Sequence, residues 1–156
     1  MRLPSCALIA LGLVLAVSSA QAVESMTRKT STQSVDAVWR KVGDFCGIGS
    51  WHPAVEKCEL SADKKQRTLT LKGGGTIVEK LVRWNDAGHS YTYRIVSGPL
   101  PVEHYVSTIH VATAKSGGGS VITWRGHYMA KGASDTAAKK AIDGVYESGA
   151  AALAGN

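Results

Sequence analysis

The stretch from Ser134 to Leu153 constrains the fold most. Ala138, Ala141, Ile142, Val145, Gly149, Ala152 and Leu153 recur at helical spacing and make one apolar stripe. Ser134 is suited to cap such a helix, and Asp135 places negative charge on its first turn, where the helix dipole favours it. Lys139, Lys140, Asp143 and Glu147 fall away from the stripe. A helix of this length runs roughly 28 Å. The stripe consists mostly of small residues, so the helix is expected to lie close to a sheet and leave space beside it. A terminal helix that follows many strands implies an α+β domain whose curved antiparallel sheet wraps that helix.

The preceding chain supplies those strands. Val23 to Gln33 is polar, alternates loosely and reads as an edge strand. Ser34 caps a short helix over Val35–Val42, which Gly43-Asp44 ends. Phe45 to Trp51 is glycine-rich and reads as a second short helix or a tight turn. His52-Pro53 then forces an extended exit. Strands are predicted over Ala54–Ser61, Arg67–Lys72, Thr76–Trp84, Ser90–Ser97, Val102–Ala114 and Ser120–Lys131. They are separated by turn signals such as Gly73-Gly74-Gly75 and the stiff Gly98-Pro99-Leu100-Pro101. The reading gives about seven strands in one domain, with two short helices after the first strand and one long helix at the end.

Residues 1–22 lie outside that domain. Arg2, the apolar run Ala7–Val17 and the Ala20-Gln21-Ala22 site make a secretory signal peptide, too short to span a membrane comfortably. Cleavage after Ala22 takes 22 of the 156 residues and leaves 134, exported to the periplasm or beyond. The mature chain then keeps Cys46 and Cys58, which in an oxidising compartment either pair or remain two buried thiols. A bridge would be worth up to ~3 kcal/mol in the chain-entropy model. The formal charge of +6 falls to +5 with the loss of Arg2, and the basic residues are scattered among acidic ones. Such a surface favours acidic partners, among them an acidic periplasmic protein. Without a basic, aromatic stripe it argues against nucleic acid.

From Trp51 to Cys58 (WHPAVEKC) the chain resembles the START/Bet v 1-like superfamily, in its polyketide-cyclase/dehydrase (SRPBCC) branch. The likeness extends from Val35 to Leu153 through Val38-Trp39, Gly43-Asp44-Phe45, Thr76-Ile77-Val78-Glu79, Gly98-Pro99-Leu100-Pro101 and Trp124. The resemblance implies a helix-grip fold with a deep, mostly apolar cavity. It is similar to the plant abscisic-acid receptors, whose gate and latch loops fall at Gly73-Gly74-Gly75 and Gly98-Pro99-Leu100-Pro101, although neither loop sequence is kept. Glu79, Tyr105 and Ser107 match polar residues lining the receptor cavity, and the receptor's hormone-binding lysine falls at about His52. In lachrymatory-factor synthase the catalytic arginine and glutamate fall near Arg67 and Glu79. Exported relatives include accessory proteins of periplasmic methanol oxidation.

Alternation places Arg67 with Leu69 and Leu71, and Glu79 with Ile77 and Leu81, so both charges are expected to face inward. A buried charge is costly unless paired. The two could form a structural ion pair, or Glu79 could move protons while Arg67 holds an oxygen anion. Tyr91, Tyr93, Tyr105, Trp124 and Tyr128 also turn inward, as core or as the wall of a pocket for an apolar, partly oxygenated ligand. His52 is a ligand contact, a general base or a satisfied turn histidine, and Leu100 is a lid or a rigid turn. His104, His110 and His127 face out. No nucleophile has a matching base, and no metal or cofactor motif is present.

The expected cavity is lined by Trp51, Leu69, Glu79, Tyr91, Tyr93, Leu100, Tyr105, Trp124 and the small face of the last helix, with His52 at its mouth. Three functions fit. The protein could bind a small hydrophobic molecule such as a lipid or polyketide. It could be a cyclase, dehydratase or isomerase acting through Glu79 and Arg67. It could also be an accessory protein that docks on a periplasmic redox enzyme through a basic face.

Overall fold

The computed structural model describes residues 22–155 apart from Ser116. The expected signal peptide, residues 1–22, falls almost wholly outside these residues. Seven antiparallel strands form one sheet: β1 (Val23–Ser31), β2 (Val55–Leu60), β3 (Gln66–Leu71), β4 (Thr76–Asn85), β5 (Ser90–Ser97), β6 (Val102–Thr113) and β7 (Ser120–Ala130). Their order is β1-β7-β6-β5-β4-β3-β2, so β1 is an edge strand, as expected. Every neighbouring pair after β2 is sequential, so short turns suffice. Only β1 crosses over to pair with the last strand.

Between β1 and β2 lie α1 (Val35–Val42) and the single turn α2 (Ile48–Trp51). The Ser34 side chain accepts from the Ala37 amide and caps α1. Phe45 to Gly47 forms the turn ahead of α2, so the glycine-rich stretch is part turn and part helix. Cys46 and Cys58 are joined, with Cα atoms 5.6 Å apart, and tie this turn to β2.

The helix α3 (Asp135–Ala154) is capped by Ser134 and ends at Gly155 in the left-handed conformation. It packs on β1 and β7 and against α1 and α2. Its buried face is Ala138, Ile142, Tyr146, Gly149, Ala150, Leu153 and Ala154. The expectation of a face made mostly of small residues fails at Tyr146, which is fully buried. Gly126 on β7 and Gly149 on α3 admit the large rings of this layer. A Cβ on Gly126 would sit 2.3 Å from the Tyr146 hydroxyl, and one on Gly149 would sit 2.5 Å from Trp124. Trp124 and Tyr146 stack with centroids 4.9 Å apart. The space expected to be hollow between helix and sheet is therefore filled by aromatic rings. No helix among the described residues is long and apolar enough to cross a membrane.

Candidate functional site

The β3–β4 register sets Arg67 directly opposite Glu79, and both point into the core. Arg67 Nε donates to Glu79 Oε2 at 2.6 Å, and its Nη1 donates to the Phe45 carbonyl. Aromatic faces surround the guanidinium, with Phe45 at 4.2 Å, Tyr93 at 5.1 Å and Tyr91 at 5.7 Å. Its Nη2 makes no hydrogen bond of good geometry, although the Tyr91 hydroxyl lies near enough to feel the guanidinium. Among the described residues, only this nitrogen and Ser120 Oγ are buried side-chain polar atoms left unbonded. A buried unmade hydrogen bond to a cation is costly, so this donor is poised for an acceptor.

Burial lowers the Arg67 pKa, but Glu79, Tyr91 and Tyr93 together more than offset this, so the guanidinium stays charged. Burial pushes the Glu79 carboxyl above its ordinary range, against the pull of Arg67. The pair thus combines a fixed cation with an acid that is harder to ionise than a surface glutamate.

Next to this pair lies a closed network of hydroxyls. Trp124 Nε1 donates to Tyr93 Oη at 3.1 Å and to Ser107 Oγ at 3.0 Å. Tyr146 Oη donates to Ser107 Oγ at 3.0 Å, and Ser107 Oγ donates to the Arg125 carbonyl at 2.9 Å. Tyr105 Oη lies 2.7 Å from Tyr146 Oη and 3.2 Å from Tyr93 Oη. Ser107 is fully used by these bonds and has no base beside it. Burial holds Tyr93 and Tyr105 well above the ordinary tyrosine value, so both remain neutral donors.

The other expected site residues occupy defined places. Leu69, Tyr91 and Trp51 are buried in the core, and Trp51 donates from its indole to the Val42 carbonyl at 3.3 Å. His52 clamps α2 to α3. Its Nε2 lies 3.1 Å from the Val145 carbonyl and its Nδ1 accepts from the Ala54 amide at 3.2 Å. That pattern requires the neutral tautomer with the proton on Nε2. Burial depresses its pKa, the Val145 bond works against the depression, and Arg67 adds to it. Both ring nitrogens are occupied, so His52 acts as a positioning clamp rather than a free base. Leu100 lies half-buried in its loop, and Pro99 meets Gly75 across the β3–β4 turn, where a Cβ would be 3.7 Å away. His104, His110 and His127 are exposed, as expected.

Two residues were missed by the sequence reading. Phe45 covers Arg67, although its place in a glycine-rich turn gave no period to read. Tyr146 completes the hydroxyl network, and its signal was present, since it lies four residues after Ile142 and three before Gly149.

The aromatic column runs from Phe45 through Tyr93 to Tyr105, with centroids 6.5 and 6.0 Å apart, and a cleft abuts each end. One, of about 340 Å³, is walled by Phe45, Leu60, Leu81 and Trp84. The other, of about 290 Å³, lies under the β5–β6 loop against Leu100 and Tyr105. Of the expected cavity wall, only Leu100 and Tyr105 reach either cleft. No group of three or more His, Cys, Asp or Glu side chains suited to a metal ion occurs among the described residues.

Comparison with known proteins agrees with this architecture. The family model described as polyketide cyclase/dehydrase and lipid transport matches residues 23–156. The protein XoxI from Bacillus cereus is 31% identical, over 85% of this chain and 94% of that one, with a TM-score of 0.82. The Zhui aromatase/cyclase from Streptomyces sp. R1128 is 17% identical, over 86% of this chain and 93% of that one, with a TM-score of 0.70. Norcoclaurine synthase from Thalictrum flavum is 20% identical, over 89% of this chain and 96% of that one, with a TM-score of 0.65. At these last two identities the likeness is one of fold. No curated protein matches. With seven strands gripping one long helix and a family match across the whole domain, the chain belongs to the polyketide cyclase/dehydrase and lipid transport family.

Proposed function

We propose that this protein is exported, is cleaved after Ala22, and binds a small hydrophobic molecule that carries an oxygen acceptor. A lipid, a polyketide or a similar compound has that chemistry. The observation that carries this reading is the unpartnered Arg67 Nη2, fully buried in a box of Phe45, Tyr91 and Tyr93. Aromatic faces suit an apolar body, and the guanidinium suits a carbonyl, carboxylate or phenolic oxygen. The column is closed in this structure, so a ligand displaces rings as it enters, with Phe45 and the Leu100 loop at the two ends. The family's lipid-transport description supports the same reading. The Cys46–Cys58 bridge supports an oxidising destination.

The test is native mass spectrometry of protein purified from its own envelope fraction without detergent. An adduct that extracts into organic solvent, and that is lost when Arg67→Met is combined with Glu79→Leu, is the expected result. A bare mass for the wild-type protein across growth conditions would overturn it.

The raised carboxyl of Glu79 favours a second, catalytic reading of the same site. Glu79 would act as acid or base, with Arg67 holding the developing oxyanion. In that case the Glu79→Gln protein retains the co-purifying molecule unchanged, while the wild type converts it. Identical molecules on both proteins would reject catalysis and leave binding.

A further inference from the structure

The outer face of the sheet carries a second site, of a different kind. Strand pairing brings Arg28, Lys80, Arg83, Arg94 and Arg125 onto one exposed surface. They come from β1, β4, β5 and β7, so the sequence shows them as scattered. None of the five makes an ion pair among the described residues, and Glu24, at the β1 edge, is the acid that shares their rows. Lys80 sits directly opposite Arg94 across β4–β5. Like charges in that position destabilise a sheet, and neither residue has an ion-pair partner among the described residues.

The same face bears the large exposed apolar residues. Met26 is 58% exposed, Val82 is 56% exposed and Val96 is 50% exposed. Met26 pairs with Arg125, while Val82 and Val96 are the bulged residues of β4 and β5. Two clefts of about 380 Å³ each share Met26, Thr108 and Arg125. Arginine and methionine are both enriched at protein-binding surfaces, and the exposed valines add apolar area between the charges. Tryptophan and tyrosine, which would stack on bases or anchor in a lipid interface, are absent from these rows.

We propose that this outer face docks an acidic protein surface, one that presents carboxylates around a few apolar side chains. The charge repels a second copy of the chain, and Lys80 facing Arg94 is a local cost that a carboxylate from a partner would relieve. The interior site faces the other way, so a partner could occupy this face while a ligand occupies the core.

The test uses the full mature chain and two soluble peptides, polyglutamate and a glutamate-rich peptide carrying leucine and phenylalanine. Backbone amide shifts are followed by NMR. The mixed peptide is expected to perturb β1, β7, β6, β5 and β4 on their outer rows, to bind about tenfold more tightly than polyglutamate, and to weaken steeply with salt. Arg94→Glu with Arg125→Glu should weaken it by at least about tenfold, whereas Lys139→Glu with Lys140→Glu, the same change of net charge on α3, should not. The Arg94→Glu variant should also melt no lower than wild type, because its repulsion with Lys80 is gone. Equal loss in the α3 variant would overturn the proposal, as would tighter binding of phosphatidylglycerol vesicles or of a DNA oligonucleotide to the outer rows.

Discussion

The two faces of one sheet behave in opposite ways. On the inner face Arg67, the fully buried cation, is paired, stacked and dry, Lys29 at the rim is paired with Glu147 of α3, and the tyrosine hydroxyls beside Arg67 bond to one another. On the outer face five cations stand in water without partners, two of them opposed. The same strands make both faces, because successive side chains alternate. Arg94 points out from between two inward-facing residues, Tyr93 and Ile95. Inside, a charge survives only through near-complete satisfaction, so a single unmet donor is informative, and it is the observation on which the proposed ligand site rests. Outside, a charge needs no partner, so only accumulation without compensation is informative.

The largest effect that could break this contrast is removal of half the inner pair. Arg67→Met leaves a buried carboxylate, and urea unfolding should show a loss of about 3–5 kcal/mol. Combining it with Glu79→Leu should recover most of that loss, since an apolar replacement of the whole pair has no uncompensated charge. A double variant as unstable as the single one would show that the pair is structural, with no room for a functional reading.

Reduction of Cys46–Cys58 comes next, at about 3 kcal/mol by loop closure. It should also raise the exposure of Phe45, which sits beside the bridge and covers Arg67. Increased quenching or exchange at that turn, measured at constant temperature, checks this. The Gly149→Ala substitution forces a methyl against Trp124 and His52, and overpacking of this kind costs about 1–3 kcal/mol. Tyr146→Phe removes the hydroxyl shared by Tyr105 and Ser107 and should cost about 1–2 kcal/mol in the same assay.

The smallest effect is one of pH. The folded pKa of His52 lies below its ordinary 6.5, because burial disfavours the charged ring. The unfolded chain therefore takes up a proton that the folded chain refuses. Stability from neutral His52 is full above 6.5 and is lost as pH falls through the folded value. Glu79, shifted upward, acts in the opposite sense, its contribution being lost as pH rises through its folded pKa. Melting curves of wild type and His52→Gln, both of which retain Glu79, should converge as pH is lowered from 7 to 5. Parallel curves would remove His52 as the titrating clamp.

Much of the inner face was legible from period two alone. Arg67, Glu79, Tyr91, Tyr93, Tyr105 and Trp124 all turn inward as their alternation requires. What period could not show is how full the interior is. Volume depends on which rings meet, and Tyr146 fits only because Gly126 lies opposite it on another strand. The disulfide needed distance, which spacing does not supply. The outer cations were visible one by one in the sequence but not as a group, because Arg28 and Arg125 become neighbours only through the β1–β7 register.

The central claim, that the unmet nitrogen of Arg67 receives an oxygen from an aromatic or apolar ligand, is tested most directly with 8-anilinonaphthalene-1-sulfonate, which carries rings and an anionic oxygen together. The wild-type protein should bind one equivalent, with shifts in the Arg67 guanidinium and Trp124 indole resonances, and the folded Arg67→Met, Glu79→Leu double variant should bind none. Equal binding by both proteins, or binding that leaves those two resonances unmoved, would contradict the account.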